Sequence, residues 1–283
     1  MWGKFIKKAL DCRTADGAPT PITRLHPALG HLPGFAPGNP SETTIHVLGP
    51  IDFEVDGAPA LPVLGINPSK STNGNSVLLR LEYGDARILL TGDLNLDAHR
   101  LILDHFAGRE DELACDVAKA CHHGSDDVSY RFLEVMNAAA TVISSGDGEG
   151  HDHPRPVIVA ASGLAGHKEI RGDKVITPLV YCTELARGVS LGTPIKLNVQ
   201  HDGEALEIEA SQLGSAIVTY TEQKVGDLRP RVRSRSLDGT SVVAGLTYGL
   251  VNVRTDGQKI LAATMNEGKE GHWSIKSFKT RFG

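Results

Sequence analysis

Ile88-Leu89-Leu90-Thr91-Gly92-Asp93-Leu94 carries a run of apolar residues into a glycine and an acid, after which the pattern turns helical. The apolar run predicts a strand over residues 87–91, and Gly92 a break in it. Beyond the break, Leu94, Ala98, Leu101, Ile102 and Phe106 recur near helical spacing, which predicts a helix over 95–106. Upstream, residues 77–83 read as a strand joined to 87–91 through Gly84-Asp85, where glycine accepts the positive φ of a tight hairpin. Downstream, 116–120 reads as a buried strand. A helix over 127–138 follows, with Val128, Phe132, Leu133 and Met136 on one face. Residues 141–145 form a further strand, and 154–163 a helix opening on proline, which a first turn accepts. Strands followed by helices, with polar residues just beyond each strand, give an α/β (α+β) fold. Chemistry on such a fold collects where strand ends open into loops.

Moving outward, residues 1–43 are an irregular segment or insertion, interrupted by Pro19, Pro21, Pro27, Pro33, Pro37 and Pro40. A short strand at 44–48 ends at Gly49-Pro50, and a second loop covers 56–75. After about residue 175 the pattern is β. Strands at 195–199 and 205–208 flank His201-Asp202-Gly203-Glu204, and strands at 250–254 and 259–263 flank Thr255-Asp256-Gly257-Gln258. A last strand covers 273–278. The expected organisation is 1–43 irregular, 44–174 as the body, and 175–283 as a β-rich extension serving as a lid or edge cover.

The chain has 283 residues, 40% apolar and 22% charged, a balance that argues against wholesale disorder. No stretch approaches the length of an uninterrupted apolar membrane span. The basic, amphipathic first 12 residues lack the apolar core of a secretory signal. Cys12, Cys115, Cys121 and Cys182 contain no C-x-x-C pair, so the expectation is a reduced, cytoplasmic protein in which Cys115 and Cys121 are small core residues. Charge is uneven: residues 1–214 carry 18 basic against 28 acidic groups, and 215–283 carry 11 against 6. The basic excess includes Lys224, Arg229, Arg231, Arg233 and Arg235. This run reads as a solvated linker or as a contact for a polyanion such as nucleic acid. No aromatic residue interleaves with it in sequence, which argues against a stacking platform.

Three polar clusters follow the predicted strands. They are Leu89-Leu90-Thr91-Gly92-Asp93-Leu94, then Lys119-Ala120-Cys121-His122-His123-Gly124-Ser125, then the stretch from Ser144 to Pro154 that ends in Gly150-His151-Asp152-His153-Pro154. Each has a plain alternative: Asp93 as a helix cap, one histidine of the pair bonding locally, the last cluster as a flexible polar turn. Taken together, one acid and four histidines at three successive strand ends point to a metal or acid–base site. Imidazole and carboxylate are the ordinary ligands of zinc, manganese and iron, and histidine moves protons near neutral pH.

In this order, Asn75 to Gly84, Ile88 to Leu94, His122-His-Gly-Ser125 and Gly150-His-Asp-His-Pro154 resemble the metallo-β-lactamase superfamily, closest to its ComEC-type C-terminal hydrolase domain. Val47-Leu48-Gly49-Pro50 fits that variant too, and the resemblance covers about residues 44–165. It implies an αββα sandwich with Asp93 bridging two metals and His153 as the late ligand. His151 would be a catalytic or substrate-contacting group. Of His122 and His123, one would be a ligand and the other a proton donor. His122 is taken as ligand and His123 as catalytic, with that order open. The superfamily's His-x-His-x-Asp-His signature is absent, and only His151-x-His153 has its spacing, after Asp93 rather than before it.

The chain therefore reads as the C-terminal half of such a domain, expected to lack one sheet's strands and to leave an apolar face bare. The expected function is metal-dependent hydrolysis of a phosphoester, phosphodiesterase- or nuclease-like, with zinc as the leading metal and manganese or iron as alternatives. The competing reading is a truncated, non-catalytic half-domain acting as a binding or complementation module. Its partner would be the missing N-terminal half or a second copy.

Overall fold

Six strands join into one sheet in the order in which the chain lays them down. β1 (Thr43–Gly49), β2 (Leu78–Tyr83) and β3 (Ala86–Leu90) are antiparallel neighbours. β4 (Val117–Lys119), β5 (Ala140–Ile143) and β6 (Leu179–Cys182) continue from β3 in parallel. The computed structural model describes residues 2–65, 67–145, 153–183, 190–192, 194–201, 203–222, 229, 231–238, 242–244, 250–265 and 273–283. Its helices are α1 (Trp2–Asp11), α2 (Pro68–Gly74), α3 (Leu96–His105), α4 (Tyr130–Met136) and α5 (Pro156–Ala165). The last three lie in the crossovers between the parallel strands, as parallel pairing requires.

Alternation along the strands sends neighbouring residues to opposite faces, and both faces are buried. On one face, Leu78, Leu89 and Ala118 pack with Leu94, Ala98, Ile102 and Phe106 in and around α3, and with Phe132, Leu133 and Met136 of α4. On the other, Ala86, Val117, Ala140 and Tyr181 pack against Ile260, Ala262 and Phe278. Those last three belong to an antiparallel sheet of β7 (Val251–Thr255), β8 (Lys259–Met265) and β9 (Trp273–Lys279). The face expected to lie bare is therefore covered by the chain's own C-terminal strands. Burial of Ile260 and Phe278 contributes on the order of 2 kcal/mol each.

The tail beyond β9 fastens this second sheet. Arg281 reaches under the first sheet, donating to the Asn137 carbonyl (2.9 Å) and to the Cys115 carbonyl, with its Nε 3.3 Å from Asp116 Oδ1. Asp116 is fully buried, and desolvation pushes its carboxyl above the usual range while Arg281 pulls it back. Phe282 stacks under the Arg87 guanidinium, 4.3 Å from its ring centre.

Local chemistry sets the element ends. Asn95 caps α3, accepting from Ala98 N at 3.0 Å, and Ser129 caps α4, accepting from Phe132 N at 3.4 Å. The cap on α4 explains why this helix starts later than the predicted 127. The predicted loop 56–75 contains α2, where Asn67 accepts from Lys70 N (2.9 Å) and Pro68 occupies the first turn. Residues 196–201 pair with 204–209, and 217–222 with 231–236, as further hairpins. Cys115, Cys121 and Cys182 are buried free thiols, as expected for the first two, and Cys12 is exposed. Among the described residues, no helix is long and apolar enough to cross a membrane. The chain is an α+β protein built on a central mixed sheet.

Candidate functional site

The parallel strands β3, β4 and β5 end along one edge, and the three polar clusters follow these ends. After β3, Thr91 is buried and its hydroxyl donates to the Lys119 carbonyl (2.8 Å), tying the two strand ends together. Gly92 turns at φ 56, where a side chain would collide with Ser76. The turn leaves Asp93 half-exposed, with its backbone N–H donating to Ser76 Oγ (3.0 Å). Because Asn95 is the helix cap, Asp93 is not occupied in that role.

After β4 the chain makes a left-handed turn: His122 has φ 44, His123 φ 55 and Gly124 φ 85. The turn sends the two imidazoles different ways. His123 Nδ1 lies 2.6 Å from the Ser144 carbonyl beyond β5, and its Nε2 lies 3.5 Å from Asp93 Oδ1. A carbonyl only accepts, so Nδ1 carries a proton, and Nε2 is the nitrogen turned toward Asp93. His122 turns instead to Asn73, whose amide N–H donates to Nε2 (3.3 Å), and its ring centre lies 5.7 Å from that of His153. Lys119 Nζ donates to the Gly92 and Ala120 carbonyls (2.9 and 3.1 Å) and stands 3.9 Å from Asp93.

Of the residues singled out from sequence, Asp93 and His123 therefore form one pair, and His122 and His153 another. His151 lies outside the described residues, as do 146–152 generally. Among the described residues, no group of three or more His, Cys, Asp or Glu side chains stands close enough to hold a metal ion. In kind, the carboxylate of Asp93 and the imidazoles of His122 and His153 are ordinary donors for a divalent transition metal; in this arrangement Asp93 stands with His123 and not with the other two.

Sequence reading gave no role to three supporting residues. Asn73 lies in a segment read as loop, and Lys119 opens the second cluster at the end of a segment read as strand. His99 is fully buried behind the turn. It accepts from Ser129 N at Nδ1 (3.0 Å), so its Nε2–H points at Cys121 Sγ (3.2 Å), and its ring stacks on Phe132. Burial lowers the His99 pKa from 6.5 to about 3, so it stays neutral, while burial raises the Cys121 thiol to about 11. Helical spacing alone marks His99 only as a position on the inward face of α3.

The arginine run also looks different in three dimensions. Arg231, Arg233 and Arg235 alternate on one face of an exposed strand, and Tyr220, itself exposed, stands directly across from Arg233. The aromatic residue absent from the run in sequence is supplied by the partner strand.

Two curated proteins are similar to part of this chain. Competence protein ComA of Neisseria gonorrhoeae is 31% identical over 102 residues, 36% of this chain and 14% of that protein. ComE operon protein 3 of Bacillus subtilis (strain 168) is 28% identical over 90 residues, 31% of this chain and 11% of that protein. The matched part thus spans about a seventh or less of the relatives' length. No protein family profile matches the chain, and no solved structure matches it.

Proposed function

We propose that the chain is a phosphoester hydrolase of the metallo-β-lactamase type, with its reaction centre at the ends of β3, β4 and β5. The observation that carries the reading is the His123–Asp93 pair, with Nδ1 anchored on Ser144 and Nε2 turned to the carboxylate. This is a histidine oriented to exchange a proton at a defined nitrogen beside a negative charge. A divalent metal, zinc by donor chemistry with manganese or iron as alternatives, is part of the proposal: Asp93, His122 and His153 would hold it once drawn together, His122 giving up its bond to Asn73. It would supply Lewis-acid stabilisation of charge building on a phosphoryl group.

The protein's own residues do the rest. The Ser144 carbonyl holds the proton on His123 Nδ1, so that Nε2 is the atom that accepts or delivers a proton at a substrate oxygen. Asp93 stabilises the imidazolium that results. Lys119 ties the loops after β3 and β4 together and keeps a positive charge beside Asp93.

A polyanionic strand is the substrate class that the charge pattern favours, since Arg231, Arg233, Arg235 and Tyr220 combine phosphate contacts with a stacking surface. One of the two relatives is named a competence protein, and a competence-related role is part of this proposal. One observation favours the second reading, a non-catalytic binding or complementation half-domain: no three donors converge among the described residues.

Elemental analysis of the purified chain and an Asp93→Asn variant, alongside turnover of bis(p-nitrophenyl) phosphate, separates the two. About one or two metal ions per chain with turnover, both lost in the variant, support the hydrolase. Absence of metal and turnover in both proteins overturns it in favour of the binding module.

A further inference from the structure

α2 is polar along its length and buries only Gly74, yet it is fixed to the body of the protein. Asn95 donates to the Lys70 carbonyl (2.9 Å), Ser71 Oγ accepts from Leu64 N (3.1 Å), and Gly74 leaves no room for a side chain beside Leu64. Lys70 and Asn73 are three residues apart, which puts them on one side of the helix. Both reach the segment that follows β4. Lys70 Nζ lies 3.0 Å from Asp127 Oδ2, and Asn73 Nδ2 lies 3.3 Å from His122 Nε2.

The two contacts differ in what they do. Both members of the Lys70–Asp127 pair are partly exposed, so solvent screens it and it contributes little. The Asn73 contact acts on an atom of the candidate site. An amide N–H donates only to a lone pair, so Nε2 of His122 carries no proton and Nδ1 does. A metal at Nε2 would take that same lone pair, and one lone pair cannot serve a hydrogen bond and a metal at once. Held in this way, the His122 ring stands with His153, ring centres 5.7 Å apart, while Asp93 stands with His123. At 3.3 Å the bond is long, so it orients the ring without trapping it.

We infer that Asn73 is a positioning residue that acts through His122: its amide fixes which ring nitrogen carries the proton and keeps Nε2 engaged away from Asp93, so that a divalent metal enters the site only by displacing that bond. The inference rests on the reading of Asp93, His122 and His153 as metal donors, and it accounts for their standing apart in two pairs.

Ring-nitrogen NMR of the metal-free full chain, with the His122 signals assigned against His122→Gln, and titration with cobalt followed by its absorption spectrum test it together. The expected wild-type ring has a proton on Nδ1 and none on Nε2, a preference lost in Asn73→Leu and in Asn73→Ala. Both variants should bind cobalt about fivefold more tightly than the wild type, the equivalent of about 1 kcal/mol for one net hydrogen bond. Lys70→Met removes the neighbouring contact and should leave ring signals and cobalt affinity at their wild-type values. If it moves them as far as Asn73→Leu does, the effect belongs to α2 as a whole and the inference falls. A proton on wild-type Nε2, ring signals that Asn73→Leu leaves unchanged, or cobalt bound no more tightly by the Asn73 variants overturns the inference alone. Absence of cobalt from every protein overturns the donor reading and the inference with it.

Discussion

His99 makes the protein's stability fall in mild acid by an amount that the structure sets. Its ring is fully buried between Phe132, Cys121 and the Ser129 amide, and burial holds its pKa at about 3 against 6.5 in the unfolded chain, with only the more distant Asp127 acting in the opposite sense. The native pKa is the lower one, so the contribution is present above the unfolded value and is lost as pH falls from about 6.5 toward about 3. At pH 4.5 the unfolded imidazole is almost fully protonated and the native one almost not at all. The loss relative to pH 7 is therefore on the order of 2–3 kcal/mol. His99→Gln removes the titration and keeps a polar side chain of similar reach. Urea unfolding of both proteins from pH 7 to pH 4.5 should show the wild-type advantage shrinking by about 2–3 kcal/mol, since every other titrating group is common to the two and cancels. An advantage constant to within about 0.5 kcal/mol would refute the buried, neutral His99 and its place behind the His122–His123 turn.

Arg281→Ala leaves the carboxylate of Asp116 buried without its cation, and should cost about 3–5 kcal/mol in chemical unfolding. A cost below about 1 kcal/mol would mean that the C-terminal tail does not fasten the second sheet. Asn95→Ala removes the α3 cap and a bond to the Lys70 carbonyl and should cost about 1–2 kcal/mol, whereas Asp93→Asn should change stability by less than about 0.5 kcal/mol while abolishing turnover. The reverse pattern would return Asp93 to a capping role. If Arg231, Arg233 and Arg235 meet phosphates, replacing each by Gln should flatten the slope of log affinity against log salt for single-stranded oligonucleotides by about 0.7. An unchanged slope would remove the ribbon from any polyanion contact.

Most of the central sheet was legible because its signals are local. The strands around Gly84-Asp85 and Thr91-Gly92, and the helix after Asn95, each show a period and a stop within a dozen residues. α2 was not legible, because Pro68–Gly74 is polar throughout and no apolar period exists to detect; its mark was the Asn67-Pro68 cap. The role of residues 251–279 escaped for a different reason. Alternation identifies a strand with one buried face but does not say which sheet receives that face, and Ile260 and Phe278 meet Ala86 and Val117 across more than 140 residues of chain. At the site, residue type pointed to Asp93 and the histidines. The pairing of Asp93 with His123 depends on backbone angles at His122 and His123 that no spacing rule contains.

Those angles carry a cost that can be measured. His122 and His123 sit at φ 44 and φ 55, a conformation that costs an L-residue about 1–2 kcal/mol. It persists because contacts on three sides dictate it. His122 N donates to the Gly92 carbonyl (3.2 Å), Ser125 N to the His122 carbonyl (2.9 Å), and Arg155 N to the Gly124 carbonyl (2.8 Å). Gly124, at φ 85, has Pro154 and Ile143 where a side chain would go. An extended continuation of β4 would alternate the imidazoles across the sheet. The left-handed turn instead keeps both at one strand end, ring centres 6.4 Å apart, with His123 turned to Asp93 and His122 to His153, so the strain is what places each in its own pair. Replacing His123 by Ala and by Gly separates this from the loss of the imidazole, which both substitutions share. At an ordinary position Ala is the more stable of the two, because Gly loses more entropy on folding. Here Gly should be the more stable by about 1 kcal/mol in urea unfolding, with turnover lost in both. Equal stabilities, or Ala ahead, would mean that the turn is not strained and that the histidines are not held by it.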